Sequence, residues 1–334
     1  MATIHDVAKA AGVSGSTVSY VLSGKRSISA ETRARVEQAI RDLGYRPHAG
    51  ARALASARTD VLGLVAPLRA DVNVSVILEF VAGVVTRARS AGLDVLLLTQ
   101  DDSGGIERVT SGSMVDGLVV MDIESHDPRI ADLVAIQQPV VLIGLPARPH
   151  GLSCVDLDFA EAGRLAVTRL HELGHTEVAL IGPTPRVVGR HTSYADRLLR
   201  GYSDGVAEAG LEPLIELSEG TPAGGRAAVA AALDERPELT ALVVHNEAAL
   251  PGVLNELRAR GRSIPRDLSV IAVCPAGVAT AQSRALTAVD IPAVRIGQTA
   301  VDMVVDRLGG ETGSEIRLVA PVITERDSTG PRSS

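Results

Sequence analysis

From residue 60 onward, short apolar segments alternate with alanine-rich segments of helical pattern, and this alternation constrains the fold most strongly. The apolar segments are almost continuous in Val, Ile and Leu, as in parallel strands that helices cover on both faces. We predict strands at residues 61–66, 94–99, 117–121, 140–143, 178–181, 241–244 and 270–273. Helices are predicted at 77–90, 159–173, 194–209 and 248–260. The body is therefore predicted to be α/β, with room for two lobes and a ligand cleft between them.

The first 45 residues follow a different pattern, which predicts three short helices. Thr3 is placed to cap the first helix, with Asp6 at its third position, where a carboxylate favours the positive helix end. Ser14 can cap a second helix after a very tight turn, and the third follows Ser29 and ends at Gly44. This arrangement fits a helix-turn-helix, whose second helix enters the major groove of DNA. A small helical bundle with a solvated basic face is the alternative.

Charge is distributed unevenly along the chain, which carries a net −7 overall. Residues 1–58 contain nine Lys or Arg residues against four Asp or Glu residues, a local net charge of +5. The rest of the chain has 24 basic and 36 acidic residues, a net −12. A small basic segment on a large acidic body is typical of a protein that presents one surface to a polyanion. The charge distribution therefore favours the DNA-binding interpretation.

Composition excludes several classes of protein. With 46% hydrophobic residues, 22% charged residues and a mean hydropathy of +0.19, the chain has ample apolar material for globular cores. No apolar run reaches the roughly 18 residues that a membrane-spanning helix needs, and the start lacks the apolar stretch of a secretory signal. Cys154 and Cys274 form neither a CxxC motif nor a disulfide framework. We therefore expect a cytoplasmic protein with no cofactor and no metal site.

The segment TIHDVAKAAGVSGSTVSYVLSGKRSISAETRARVEQAIRDLGYRP, followed by HAGARALAS, closely resembles the headpiece of the lactose-repressor (LacI/GalR) family. Three segments of the body agree with it, VDGLVV at 115–120, LHELGHTEVALIG at 170–182 and RSIPRDLSVIAV at 262–273. The resemblance implies a homodimeric bacterial transcription regulator that binds a palindromic operator, with a periplasmic-binding-protein-like core for a small effector. It divides the chain into a DNA-binding domain (1–46), a hinge helix (47–59), an effector-binding and dimerisation core (60–325) and a flexible tail (326–334).

The resemblance also implies which residues contact DNA. The family's base-reading positions fall on Gly15, Ser16 and Tyr20. Because a glycine has no side chain to bind a base edge, direct readout should rest on the serine and the tyrosine. Phosphate contacts are expected from Ser14, Thr17, Lys25 and Arg26. In the hinge, Leu54 matches the leucine that the family inserts between base steps in the minor groove, with Arg52 nearby.

The implied effector cleft departs from the family's pattern. Cys274 stands where the family usually has an aspartate that binds ligand hydroxyls. Either Arg190 or Arg197 supplies the family's cleft arginine. With two Phe, four Tyr and no Trp, the chain offers few rings for stacking on a sugar. We expect a sugar or a related metabolite as the effector. The candidate effector-binding residues are Asp158, Phe159, Arg190, Arg197, Asn246, Glu247 and Cys274.

Two other functions are weighed against this one. The segment HELGH at 171–175 satisfies the H-E-x-x-H pattern of zinc hydrolases, in which both histidines must lie on one helix. We expect the helix to end near Gly174, which removes His175 from that position. A solute-binding protein would have the same body, but it requires export. Phosphate-binding loops of the G-x-G-x-x-G and G-x-x-x-x-G-K-[ST] types do not occur, which argues against a dehydrogenase or a nucleotide hydrolase, and a catalytic serine in G-x-S-x-G is likewise missing. We expect the protein not to be an enzyme.

Overall fold

The structure, a computed structural model, describes residues 2–23, 26–45, 58–69, 72–99 and 103–332. The headpiece consists of three helices, α1 (Ile4–Ala11), α2 (Gly15–Ser23) and α3 (Ala30–Leu43). They enclose a small core of residues Val7, Ala8, Ala11, Val18, Val21, Val36, Ala39 and Tyr45. The three-helix headpiece predicted from the sequence is thus present.

Side-chain caps explain where the headpiece helices begin and end. The Asp6 backbone N–H donates to the Thr3 hydroxyl at 3.3 Å, and the Asp6 carboxylate accepts from the Thr3 backbone N–H at 2.8 Å. The Ser29 hydroxyl accepts from the backbone N–H of Thr32 at the start of α3. Gly44 ends α3 with φ 56°, a left-handed conformation that favours glycine.

The first lobe of the core is a six-stranded sheet with the order β11-β5-β4-β3-β1-β2, in which all neighbours are parallel. Its strands are β1 (Val61–Val65), β2 (Asp94–Leu98), β3 (Gly117–Val120), β4 (Val140–Ile143), β5 (Ser153–Leu157) and β11 (Ile316–Val319). Its helices are α4 (Val74–Ser90), α5 (Ser103–Ser111), α6 (Ile130–Ala135) and α13 (Ala293–Leu308).

The second lobe repeats this architecture with the order β12-β10-β9-β8-β6-β7, and only β12 runs antiparallel to its neighbour. Its strands are β6 (Val178–Gly182), β7 (Ile215–Leu217), β8 (Ala241–Val244), β9 (Ser269–Cys274), β10 (Thr287–Asp290) and β12 (Ile323–Thr324). Its helices are α7 (Phe159–Glu172), α8 (Pro185–Gly189), α9 (Ser193–Glu208), α10 (Pro222–Glu235), α11 (Leu250–Ala259) and α12 (Ala276–Thr280).

The chain passes between the lobes three times, after β5, after β10 and after β11. In open parallel sheets, ligands bind beyond the carboxyl ends of the strands. The loops after β1, β3 and β4 in the first lobe and after β6 and β8 in the second supply residues to one cavity. The two-lobed α/β core is therefore confirmed, and the crossings place the strand ends of both sheets at a common cleft.

Two helix crossings are so close that only glycine fits at the contact. A Cβ atom on Gly201 of α9 would overlap the carbonyl oxygen of Ala160 in α7. A Cβ atom on Gly83 of α4 would likewise overlap the carbonyl oxygen of Val294 in α13. Each lobe thus has at least one tightly packed helix pair.

The end of the chain differs from its predicted flexibility. Ser328 is fully buried, its backbone carbonyl accepts from the N–H of Val270 at 2.8 Å, and its hydroxyl accepts from the N–H of Thr287 at 2.8 Å. Further along, the backbone N–H of Arg332 donates to the carbonyl of Leu173 at 2.9 Å. Residues 326–332 are therefore packed on the second lobe, because their backbone groups pair with β9, β10 and the end of α7.

The HELGH segment takes part in this packing. Helix α7 ends at Glu172, as expected, and His175 is buried beyond it. The Nε2 atom of His175 lies 3.1 Å from the Gly330 carbonyl oxygen, and its Nδ1 atom lies 3.0 Å from the Thr240 hydroxyl. Within the described ranges, no three His, Cys, Asp or Glu side chains are arranged to hold a metal ion. A search of the same residues for a helix long and apolar enough to cross a membrane finds none.

Candidate functional site

Helix α2 presents a polar surface at its N-terminus. The Ser14 hydroxyl accepts from the backbone N–H of Thr17 at 3.2 Å, which caps the helix. The same hydroxyl lies 2.8 Å from that of Ser16 and 2.9 Å from that of Thr17. On the opposite face, Val18 and Val21 are buried in the headpiece core. Three hydroxyls therefore cluster at the N-terminal end of the helix.

Tyr20 extends this polar surface by one turn. Its ring is 37% exposed, and the guanidinium of Arg26 lies over it, 5.6 Å from the ring centroid. This cation–π contact fixes the phenol and the positive charge side by side. Gly15 begins α2, and a Cβ atom there would meet nothing within 4 Å. The other DNA-contact candidates, Lys25, Arg52 and Leu54, lie outside the described residues, as does most of the predicted hinge.

A cavity lies between the two lobes of the core. It contains about 1040 Å³ of space between atoms, part of it open to solvent. Each lobe contributes about half of its walls, as expected for a site at the interface of two subdomains. The polar and aromatic lining residues are Asn73, Phe80, Asp122, Asp156, Phe159, Thr184, Ser193, Tyr194, His245, Asn246 and Glu247.

Three of the seven candidate effector residues line this cavity, namely Phe159, Asn246 and Glu247. The side-chain amide of Asn246 donates to the carbonyl of Ser218 at 2.8 Å, which orients the residue and leaves its amide oxygen toward other partners. Both residues of the Asn246–Glu247 pair follow β8, where the carboxyl end of the strand reaches the cleft.

Two other candidates, Asp158 and Cys274, do not line the cavity. Asp158 caps α7 by accepting from the backbone N–H of Glu161 at 3.2 Å, and it is not a lining residue. Cys274 is fully buried in the second-lobe core, where burial raises the pKa of its thiol. The resemblance placed Cys274 in the cleft because it ends β9, but its side chain points into the core side of that strand.

The two arginine candidates do not line the cavity but form ion pairs with residues that do. Arg197 is buried, pairs with Asp156 and donates to the carbonyl of Leu157 at 3.2 Å. Burial raises the pKa of the Asp156 carboxyl, and the positive charge of Arg197 opposes that rise. Arg197 also lies 5.7 Å from the ring centroid of Phe159. It therefore holds two lining residues in place.

Arg190 forms ion pairs that join the lobes. It follows α8 in the second lobe and pairs with Asp122 at 3.1 Å and Glu124 at 3.3 Å, both of which follow β3 in the first lobe. Asp122, whose side chain is only 2% exposed, also pairs with Arg69 of its own lobe at 3.0 Å. A short bridge between Glu124 and Thr192 lies beside these pairs. These contacts connect the two lobes beside the cavity.

Three rings at the cavity form a cluster that the sequence did not predict. The centroids of Phe159, Tyr194 and His245 are 5.5 to 5.7 Å apart. Both phenylalanines of the chain, Phe80 and Phe159, line the cavity, so the few aromatic residues are concentrated there. His245 was missed although it immediately precedes Asn246, the residue that the resemblance did identify.

Comparisons with known proteins agree with this architecture. Residues 3–48 match the family of bacterial regulatory proteins, lacI family, and residues 167–329 match the periplasmic binding protein-like domain. The HTH-type transcriptional regulator CelR of Thermobifida fusca is 33% identical over 331 residues, which cover 95% of each chain. The solved structure of a transcriptional regulator CelR–cellobiose complex has a TM-score of 0.70 at 28% identity, covering 98% of this chain and 100% of that one.

A second solved structure, the lac repressor dimer bound to operator and the anti-inducer ONPF, has a TM-score of 0.83 at 22% identity. It covers 98% of this chain and 99% of the other, which shows that the fold is shared from headpiece to core. Since the headpiece, the core and a relative of matching length all agree, the chain belongs to the LacI family of bacterial regulatory proteins.

Proposed function

We propose that the protein is a sequence-specific transcriptional regulator that binds a palindromic operator as a homodimer and responds to a small-molecule effector. One observation carries the proposal. A single chain joins a helix-turn-helix, whose second helix has a polar N-terminal surface, to a two-lobed core with a cavity between the lobes. The proposal contains no catalytic step, and its place of action is the cytoplasm, where the operator lies.

The headpiece supports the DNA-binding part of the proposal. Ser16 and Tyr20 would read base edges in the major groove, while Ser14, Thr17 and the N-terminus of α2 would bind phosphates. Arg26 would add a positive charge beside Tyr20. Gly15 would allow the backbone to approach the DNA closely, since nothing projects from it. Residues 1–46 would form this domain, and residues 47–59 the hinge.

An exposed apolar stripe supports the homodimer. Val74, Leu78 and Val85 lie on one face of α4 and are 41% to 51% exposed. Leu97, on the neighbouring edge strand β2, is 43% exposed. Contiguous apolar surface of this kind marks protein interfaces, and a two-fold symmetric operator requires two headpieces. A second copy of the chain would bury the stripe.

The cavity supports regulation by linkage. An effector that binds one arrangement of the lobes better than another must change operator affinity by the same free energy. The core from residue 60 would hold the effector, and Phe159, Asn246 and Glu247 would contact it directly. Arg197 would act through Asp156 and Phe159. The related complex contains cellobiose, so a sugar or a chemically similar metabolite is the starting assumption for the effector.

Selection of bound sequences from a random DNA pool by the purified protein tests the proposal. We expect a palindromic consensus whose affinity falls steeply with salt, because phosphate contacts release counterions. No enriched sequence at low or high salt would refute the DNA-binding role.

Two variants refine the test. Tyr20→Ala should lose preference at particular base pairs, whereas Ala34→Ser, on an exposed part of α3, should keep the wild-type consensus. A uniform loss across sequences would reduce Tyr20 to a phosphate contact. Leu54→Ala should weaken operator binding far more than binding to random duplex.

A further inference from the structure

The charged groups on the cavity wall are all acidic within the part of the chain that the structure describes. Asp122, Asp156 and Glu247 line the cavity, and no Lys or Arg does. The first two are compensated, because Asp122 pairs with Arg190 and Asp156 pairs with Arg197. Glu247 forms no ion pair with any described residue and remains an uncompensated negative charge in the wall.

A second carboxylate belongs to helix α4 of the first lobe. Glu79 is a half-buried residue of α4, next to the lining residue Phe80, and it too lacks an ion-pair partner among the described residues. Burial raises the pKa of Glu79, and the negative charge of Glu247 raises it further. Two like charges that interact favour a positively charged ligand near them.

His245 is the independent observation that points to a ligand. Its side chain lines the cavity and is 95% buried, with a relative exposure of 5%. Its Nδ1 atom lies 3.0 Å from the carbonyl oxygen of Val273, and a carbonyl can only accept, so Nδ1 carries the proton. In the Nδ1–H tautomer the Nε2 atom is an acceptor, and it has no hydrogen-bond partner among the described residues. A buried acceptor of this kind requires a donor.

One more lining residue offers an acceptor to a donor on the ligand. The Asn246 side-chain amide donates one of its two N–H groups to the Ser218 carbonyl, and its oxygen accepts from no described residue. The rings of Phe159 and Tyr194, whose centroids lie 5.5 Å apart, have faces with a negative quadrupole that attracts cations, and Arg197 already lies 5.7 Å from the Phe159 centroid. A protonated amine offers three donors and no acceptor, and thus suits the Glu247 carboxylate, the His245 Nε2 atom and the ring faces.

We propose that the effector carries a positively charged amino group, which Glu247 and His245 bind beside the rings of Phe159 and Tyr194. A neutral polyol would leave the Glu79 and Glu247 charges uncompensated. This inference rests on the proposed function only in calling the ligand an effector, since the binding site itself is independent of DNA.

Matched pairs of amines and hydroxyl analogues test the inference on the full-length protein. The pairs are D-glucosamine with D-glucose, the β-1,4-linked glucosamine disaccharide with cellobiose, and 1,4-diaminobutane with 1,4-butanediol. Calorimetry should show at least one amine binding about tenfold or more tightly than its hydroxyl partner, as a charge-assisted hydrogen bond predicts. If no amine in the set exceeds its partner, the inference is overturned.

Two isosteric variants locate the site. In the matched pair whose amine binds more tightly, Glu247→Gln should abolish the preference of the protein for the amine over the hydroxyl analogue. Glu235→Gln, on the exposed end of α10, should retain that preference. Thermal unfolding of both variants without ligand checks that each is folded. An amine preference that survives Glu247→Gln would place the cation elsewhere and overturn the inference.

Operator binding with the same ligands separates this inference from the proposed function. If cellobiose changes operator affinity and the amines neither bind nor act, the regulator stands and the cation site is wrong. If an amine binds through Glu247 without changing operator affinity, the cation site stands and its regulatory role is refuted.

Discussion

The ion pairs of Arg190 give the sharpest prediction, because they join the lobes across the cleft. Substitution of Arg190 by Met keeps an unbranched apolar side chain and removes the guanidinium with its charge. Asp122 then retains only Arg69, which belongs to the same lobe, and Glu124 loses a partner at 3.3 Å. We expect Arg190→Met to shift the protein toward an open arrangement of the lobes.

The size of the shift follows from the burial of the pair. Asp122 is 2% exposed and Arg190 is 17% exposed, so solvent screens the interaction only in part. Hydrogen bonds to charged groups contribute about 1.5 to 3 kcal/mol when buried, and exposed ion pairs below about 1 kcal/mol. A value of roughly 1 to 2 kcal/mol corresponds to a change of about 5- to 30-fold in the equilibrium between closed and open lobes.

Distance measurement between two spin labels checks this prediction. Ser111→Cys in the first lobe and Glu235→Cys in the second provide exposed attachment sites. The native cysteines would stay unlabelled, because both are fully buried and burial raises the pKa of the Cys154 thiol to about 12. The pulsed electron-spin distance distribution of Arg190→Met should gain a longer-distance population of the predicted size.

The matched control is Arg69→Met, which removes the other partner of Asp122 without touching the second lobe. Its distance distribution should remain that of the parent protein. If both substitutions shift the distribution equally, or if Arg190→Met leaves it unchanged, these pairs do not hold the lobes together.

Three further predictions concern stability and assembly. Burial lowers the pKa of His175 below 6.5, so as the pH falls the unfolded chain takes up a proton before the folded protein does. The free energy of unfolding, measured by urea titration, should therefore decrease as the pH falls below 6.5. This decrease should be steeper in the wild-type protein than in His175→Gln. Gly201→Ala should destabilise the core by about 1 to 3 kcal/mol, because the added methyl group overpacks against α7. The control Gly277→Ala, which has open space around it, should leave the stability unchanged. Equal melting temperatures for the two variants would contradict this prediction. Leu78→Asp should convert the dimer to monomers in sedimentation experiments, while Met114→Asp, equally exposed but outside the apolar stripe, should leave it a dimer.

The strands found from the sequence share one property, which is an unbroken apolar run. All seven predicted strands are present within one or two residues of their predicted ends. The five that were missed are short or contain polar residues. Strand β5, with the sequence SCVDL, was missed because it contains a charged residue, Asp156. This residue is buried in the strand, and its negative charge is compensated by Arg197, forty-one residues further on. No local pattern carries that information.

The functional site could likewise be predicted only where the signal lies in residues close together in the sequence. The helix caps at Thr3, Ser14 and Ser29 depend on residues three positions apart and were readable directly. His245 was not, because its importance lies in the carbonyl of Val273 on the next strand and in the rings that surround it. The flexibility predicted for the end of the chain was wrong for a related reason. Ser328 lies in a polar segment that resembles a linker, but it is as buried as a core residue.

The placement of the four tyrosines has a spectroscopic consequence. Tyr20 lies on the proposed DNA surface, Tyr45 in the headpiece core, Tyr194 at the cavity and Tyr202 in the second-lobe interior. Because the chain has no tryptophan, tyrosine emission is not masked by energy transfer to an indole. Ultraviolet-excited fluorescence of the unlabelled protein therefore has one emitter beside each proposed ligand. Titration with DNA should perturb Tyr20 and titration with effector Tyr194, so the two binding events can be followed in one cuvette.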